Sequence, residues 1–131
     1  IDHEGNRSPW RTLEDFGVVV KSVKIHPEAI TLDFEDFRSK LTDKTKVLAI
    51  NWAANSCGTI TDVKKFIDEA HRVGAITVVD AVQYAPHKVI DVKAVGMDIL
   101  LRLQVLRSTF GYHLLQKGCG RTDQDGARHG I

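Results

Sequence analysis

No apolar run in this chain of 131 residues approaches the roughly 20 needed to cross a bilayer, and its first residues lack the charged-then-apolar pattern of a signal peptide. A membrane partner is therefore not expected, and the cytoplasm is the expected compartment. Only two cysteines, Cys57 and Cys119, are present, too few and too far apart for a disulfide framework or a zinc site. Neither is assigned chemistry, no metal is expected, and Cys57 reads as a small buried residue. An excess of one charge is also missing. With a formal net charge of +1 and no long lysine or arginine cluster, nothing electrostatic argues for a nucleic-acid partner. The glycine motifs that cradle phosphates, G-x-G-x-x-G and G-x-x-x-x-G-K, do not occur, so a nucleotide site has no support.

What remains is a globular composition, 43% hydrophobic and 27% charged, which suffices for one modest core. The composition changes abruptly near Leu101. Arg102 to Ile131 carries five basic and two acidic residues and five of the ten glycines, which leaves a tail of +3 on a body of −2. The opening "IDHEGNRSPW" has no initiating methionine and reads as the middle of a strand-to-helix connection. On these grounds the chain is expected to be a fragment.

Along the body, Ser8 before Pro9 reads as the cap of a short helix that runs to about Phe16 and stops at Gly17. The β-branched "VVVKSVKI", Val18 to Ile25, predicts a strand. Leu32, Phe34, Phe37 and Leu41 recur at helical spacing behind a cap at Asp33. "KVLAINWAA", from Lys46, predicts a strand covered on both faces. Thr61 can cap a helix with Val63, Phe66, Ile67 and Ala70 on one face, closed by Gly74. "AITVVDAV" is a further strand, and "VKAVGMDILL" offers a short helix, a turn at Gly96 and a last strand. Strands alternating with helices over such short connections predict an α/β fold with a mainly parallel sheet and crossover helices.

In such sheets ligands bind beyond the carboxyl ends of the strands. Asn55 and Asp80 fall just past two of those ends, and His3 lies before a helix start that faces the same rim. A strand-end aspartate is expensive to desolvate unless it meets a cation or several donors, so Asp80 is a candidate site residue. A turn or capping role is the plain alternative for Asp80, and an Asx turn for Asn55. Likewise Gln83 can serve only to bond loop backbone, and His3 can be a solvated loop residue.

At "DHEGNRSPW", "NWAANSCGT" and "VVDAVQYAPHKVIDV", in this order and spacing and with "AHRVGA" before the aspartate strand, the sequence resembles class V pyridoxal-phosphate-dependent enzymes. The likeness is to the cysteine desulfurase-like group of the aminotransferase class V family and covers about Asp2 to Leu101. It implies that residues 1–101 are a fragment of the large domain that binds pyridoxal 5′-phosphate (PLP). It also implies an amino-acid substrate and a homodimer in the intact enzyme. The resemblance makes Asp80 the carboxylate that keeps the cofactor's pyridine nitrogen protonated, so that the ring can act as an electron sink. His3 becomes the histidine that stacks on the ring and takes part in proton transfer, since an imidazole is flat and titrates near neutrality. Asn55 and Gln83 become the amides that bond the cofactor's phenolic oxygen or its neighbourhood. His71, inside a helix, and His87, in a loop, read as structural, and Cys57 does not match the desulfurase nucleophile. Other class V activities, an aminotransferase, a selenocysteine lyase or an epimerase, stay open, as does a non-catalytic α/β remnant.

Beyond "MDILL" the family pattern continues into the loop of the Schiff-base lysine, but here the sequence is "RLQVLRSTFGYHLL", with no lysine until Lys117. Without that amine the chain as given is expected to be inactive. Leu103 to Gly111 can be encoded so that a one-base shift reads Phe-Lys-Phe-Phe-Gly-Pro-His-Leu-Gly, which restores the family's lysine loop. Residues 102–131 are accordingly expected to be a frameshifted, poorly ordered tail.

Overall fold

The computed structural model describes residues 1–101 and the backbone of a short strand at Leu115–Gln116. The readings made for the tail otherwise lie outside the described residues. The chain opens with α1 (Glu4–Arg11), which runs into a 3-10 turn at Thr12–Phe16 and ends at Gly17. Gly17 sits at φ +82°, a left-handed conformation that suits glycine, so the predicted stop holds. The predicted start does not. The N-cap is His3 rather than Ser8, and Pro9 lies inside the helix. Ser8 is occupied otherwise, its hydroxyl donating to Glu4 Oε1 one turn earlier.

A two-stranded antiparallel hairpin follows, β1 (Ile25–His26) with β2 (Thr31–Leu32). Of the strand expected over Val18 to Ile25, only Ile25 lies in β1. Val18 and Val19 are exposed, and no described strand lies beside them to take their backbone bonds. β-propensity reflects packing on a pleated surface more than a backbone preference, so without a neighbour it goes unexpressed. In α2 (Phe34–Lys40), Asp33 is the cap that its sequence position predicts, its carboxylate accepting from Asp36 N at 3.0 Å.

The main sheet has the order β3-β4-β5-β6, with β3 (Val47–Asn51), β4 (Ile76–Asp80), β5 (Ile99–Leu101) and β6 (Leu115–Gln116). β3 to β5 are parallel, and β6 is antiparallel to β5. The crossover from β3 to β4 is α3 (Val63–Arg72), whose buried Val63, Phe66, Ile67 and Ala70 all lie on the predicted face. Its N-cap is Asp62, while Thr61 is buried and spends its backbone N–H on Trp52 O at 2.8 Å. α4 (Val92–Val95) turns at Gly96, φ +84°, and leads into β5.

The core lies between α3 and this sheet, with Phe66 against Phe34 and Phe37 on one side and Val79, Met97 and Leu100 on the other. Burying a side chain such as Ile67 contributes about 1.5–3 kcal/mol, and Ile67 is wholly enclosed. At the amino ends of β4 and β5, Asp98 Oδ2 accepts from Thr77 N (2.9 Å) and Thr77 Oγ1 (2.8 Å) and lies 2.8 Å from His71 Nε2. This network ties α3 to the sheet at the end away from Asp80. Among the described residues no helix is long and apolar enough to cross a membrane.

Candidate functional site

Parallel pairing fixes where the strand ends meet. Asn51 and Asp80 are register partners, so β3 and β4 finish side by side. Beyond that point Trp52 N donates to Asp80 O (2.8 Å) and Ala81 N to Leu101 O (2.9 Å), which carries the pairing one residue past each strand. The half-buried Asp80 thus stands at the carboxyl rim, with its main chain held on both sides. Its Oδ1 accepts from Val82 N at 2.9 Å in a tight Asx turn, and its Oδ2 accepts no hydrogen bond from the described residues. One carboxylate oxygen shapes the turn and the other remains open to an outside donor.

Asn55 lies on the loop that leaves β3. Ala53 bridges back to Ile60, Ala54 N donates to Thr59 O (3.0 Å) and Gly58 N to Ala54 O (2.9 Å), so the loop doubles back with Asn55 exposed at its bend. Cys57, expected to be buried, is exposed on the same bend, because every residue from Asn55 to Gly58 lies outside the core. Gln83 is exposed on the turn after Asp80, where Tyr84 N and Ala85 N both donate to Ala81 O. The two loops are joined by Trp52 and Tyr84, stacked at 4.1 Å with an interplanar angle of 4°. Sequence reading passed over this pair, since an aromatic beside a strand end gives no local sign of its partner.

The N-terminal residues reach the same rim. Asn51 is buried and its Nδ2 donates to Ile1 O at 3.3 Å, which anchors the first residue at the end of β3. Asp2 accepts from His3 N and from Asn6 Nδ2, each at 2.9 Å. Burial pushes the Asp2 carboxyl up from its ordinary value, these two bonds oppose the rise, and the neighbouring charge of Asp80 adds to it. Asp2 and Asp80 therefore feel each other across the rim. The exposed His3 caps α1, its Nδ1 accepting from Gly5 N at 3.0 Å. Asp2, Asn6 and Asn51 were not singled out from sequence, and only the motif match around His3 hinted at the first two.

Hollows among the described residues include one of about 300 Å³ bordered by Glu4, Ser8 and Arg11 and one of about 450 Å³ bordered by His87, Lys88 and Leu100. Neither is lined by His3, Asn55 or Asp80. The sequence places these three on one rim, and the structure sets Asp80, the Asn55 loop and the segment leading into His3 there, on an open surface. Chemically the rim offers one Asp80 carboxylate oxygen that accepts no bond from the described residues, and the exposed Asn55 and Gln83 lie on the two loops that leave it.

The Aminotransferase class-V family model matches residues 1–102. A probable cysteine desulfurase of Halalkalibacterium halodurans is 36% identical over 99 residues, covering 75% of this chain and 24% of the relative. The aminotransferase-like protein FGM3 of Gibberella zeae is 40% identical over 103 residues, covering 75% and 25%. The nonribosomal peptide synthetase-like enzyme fsqF of Aspergillus fumigatus is 36% identical over 132 residues, covering 98% of this chain but 9% of the relative. Among solved structures, the apo cysteine desulfurase of Thermococcus onnurineus superposes with a TM-score of 0.72 at 29% identity, covering 78% of this chain and 25% of that one. The chain thus spans about a quarter or less of the length of these relatives. On the match over residues 1–102, and with a parallel sheet that superposes on a cysteine desulfurase, the chain belongs to the aminotransferase class V family.

Proposed function

We propose that the rim formed by His3, Asn55, Asp80 and Gln83 is part of the PLP pocket of a cysteine desulfurase-like enzyme acting on an amino acid in the cytoplasm. The observation that carries this reading is Asp80 itself, a half-buried strand-end carboxylate with one oxygen used by Val82 N and the other open. When bound, PLP supplies an electron sink for a carbanion next to the substrate nitrogen. Asp80 would hold a proton on the cofactor's ring nitrogen through its free oxygen, a charge-assisted bond. His3 would present its ring to the cofactor face, and its unengaged Nε2 would hold or pass a proton. Asn55 and Gln83 would bond the phenolic oxygen, the amide suiting an oxygen whose charge changes. A homodimer of the intact enzyme belongs to the same reading.

The reading of Arg102 to Ile131 as a frameshifted tail is likewise a proposal, and with it the loss of the Schiff-base lysine. The chain as given would then bind the cofactor without a covalent link and would not turn over. Pyridoxamine 5′-phosphate, which cannot form a Schiff base with lysine, is the probe that isolates the rim. Calorimetric titration should show one weak site in the chain, weakened about tenfold or more by Asp80→Ala, as expected when a charge-assisted hydrogen bond of at least about 1.5 kcal/mol is lost. Equal affinity in chain and variant would remove Asp80 from the site.

A further inference from the structure

Around His3 every polar group but one is already spoken for. Its backbone N–H donates to Asp2 Oδ1 (2.9 Å), its carbonyl accepts from Asn6 N (2.9 Å) and its ring Nδ1 accepts from Gly5 N (3.0 Å). A neutral imidazole whose Nδ1 accepts must carry its proton on Nε2. The ring also lies flush on the turn below it, for a Cβ added at Gly5 would sit 3.0 Å from Nδ1 and 3.5 Å from Cε1. His3 is exposed, yet its ring is held by the Gly5 bond and by its contact with the turn.

The restraint comes from one connected set of side chains. Asp2 Oδ2 accepts from Asn6 Nδ2 at 2.9 Å, and Asn6 Oδ1 accepts from Trp10 Nε1 at 3.4 Å, so positions 2, 6 and 10 are chained along one side of α1. Asn6 is 3% exposed. A fully hydrogen-bonded buried amide is tolerated, but leaving one of its groups unpaired costs about 1–3 kcal/mol. Asn51 ties the preceding residue to the end of β3. Burial with the Asp80 charge close by works against an ionised Asp2, so a helix cap alone could be had more cheaply from a serine or threonine at the cap position.

We infer that Asp2, Asn6 and Gly5 are positioning residues that fix the His3 imidazole as its Nε2–H tautomer, with Nε2 alone presented outward. The inference rests on the proposed role of His3 at the cofactor and adds the residues that prepare it. Asp2 secures the main chain, Asn6 secures Asp2, and Gly5 leaves room for the ring while donating to it. Only Nε2 is then available for proton exchange.

Imidazole ¹³C and ¹⁵N chemical shifts of the 131-residue chain, read at a pH where His3 is neutral, report the tautomer directly. The chain should show His3 as Nε2–H, with Gly5 N–H exchanging at least about tenfold more slowly than in a variant that has lost the bond, a factor of ten being about 1.4 kcal/mol. Asp2→Ala and Gly5→Ala should each give mixed tautomers and a fast Gly5 position (residue 5 in the second variant), while the amides of β3 and β4 stay protected. The paired change Asp2→Asn with Asn6→Asp exchanges donor and acceptor and should restore the single tautomer. If Asp2→Ala and Gly5→Ala both keep it, the inference is overturned. Adding pyridoxamine 5′-phosphate to the same samples separates the two layers. A chain with a fixed tautomer whose His3 ring signals ignore the bound probe overturns the cofactor role of His3, on which the inference rests.

Discussion

Asp80, Asp2 and Asp98 are three carboxylates in three different settings, and only the first has an oxygen left open at the rim. Asp98 is bound instead at the far end of the sheet. Burial tends to raise its pKa, but the hydrogen bonds from His71, Thr77 N and Thr77 Oγ1 outweigh that and hold it below the ordinary value. A depressed carboxyl contributes stability that is present above its unfolded pKa of about 3.9 and is lost as pH falls through the folded value. Asp98→Asn should therefore destabilise the neutral-pH chain by roughly 1–3 kcal/mol, and in urea titrations the gap from the unaltered chain should narrow steadily below about pH 4. An undiminished gap at pH 2.5 would mean that Asp98 acts by packing. None of this was visible in the sequence, where Asp98 is one charge in "GMDILL" and His71 lies 27 residues away. His71 was read as structural from its place in a helix, and its contact with Asp98 accords with that.

At the scale of elements, legibility follows whether the signal is local. β3, β4 and β5 were marked by apolar β-rich runs bounded by helices, and α3 by its periodic face, so these elements and their parallel order could be read directly. Val18 to Ile25 carried an equally good strand composition and did not become a strand, because pairing depends on a neighbour that the segment's own residues do not specify. Caps were read with mixed success for the same reason. Asp33 closes on the amide three residues ahead, at Asp36, whereas His3 took the place expected of Ser8 and Asp62 that of Thr61. A histidine is an uncommon cap, and its ring reached Gly5 only because glycine leaves the space. The contribution of α3 can be tested by Ile67→Ala, a fully enclosed position. It should cost about 2–5 kcal/mol in urea unfolding with little change in the slope, and a loss under 1 kcal/mol would mean that α3 is not clamped on the sheet.

Among the described residues the rim lines neither of the two hollows, and the relatives are about four times the length of the chain or more. That ratio explains why the site was legible as motifs but not as geometry. The three quoted motifs lie near strand ends whose register the sheet fixes, so Asp80 and the Asn55 loop could be located from sequence. The Trp52–Tyr84 stack, the anchoring of Ile1 by Asn51 and the charge between Asp2 and Asp80 depend on approach across the fold and could not. The tail is where the comparisons diverge. The family model stops at residue 102, while the match to fsqF runs on past it, and the coding sequence across Leu100 to Gly111 decides whether a shifted frame lies between. Whether Asp80 keeps a bound ring nitrogen protonated is read from the pyridine ¹⁵N chemical shift of labelled pyridoxamine 5′-phosphate added to the chain. The resonance should stay at the position of the protonated ring well into alkaline pH in the unaltered chain, and in Asp80→Ala it should move towards neutral pyridine at lower pH. A bound ring that titrates identically in both proteins would mean that Asp80 does not hold the ring proton.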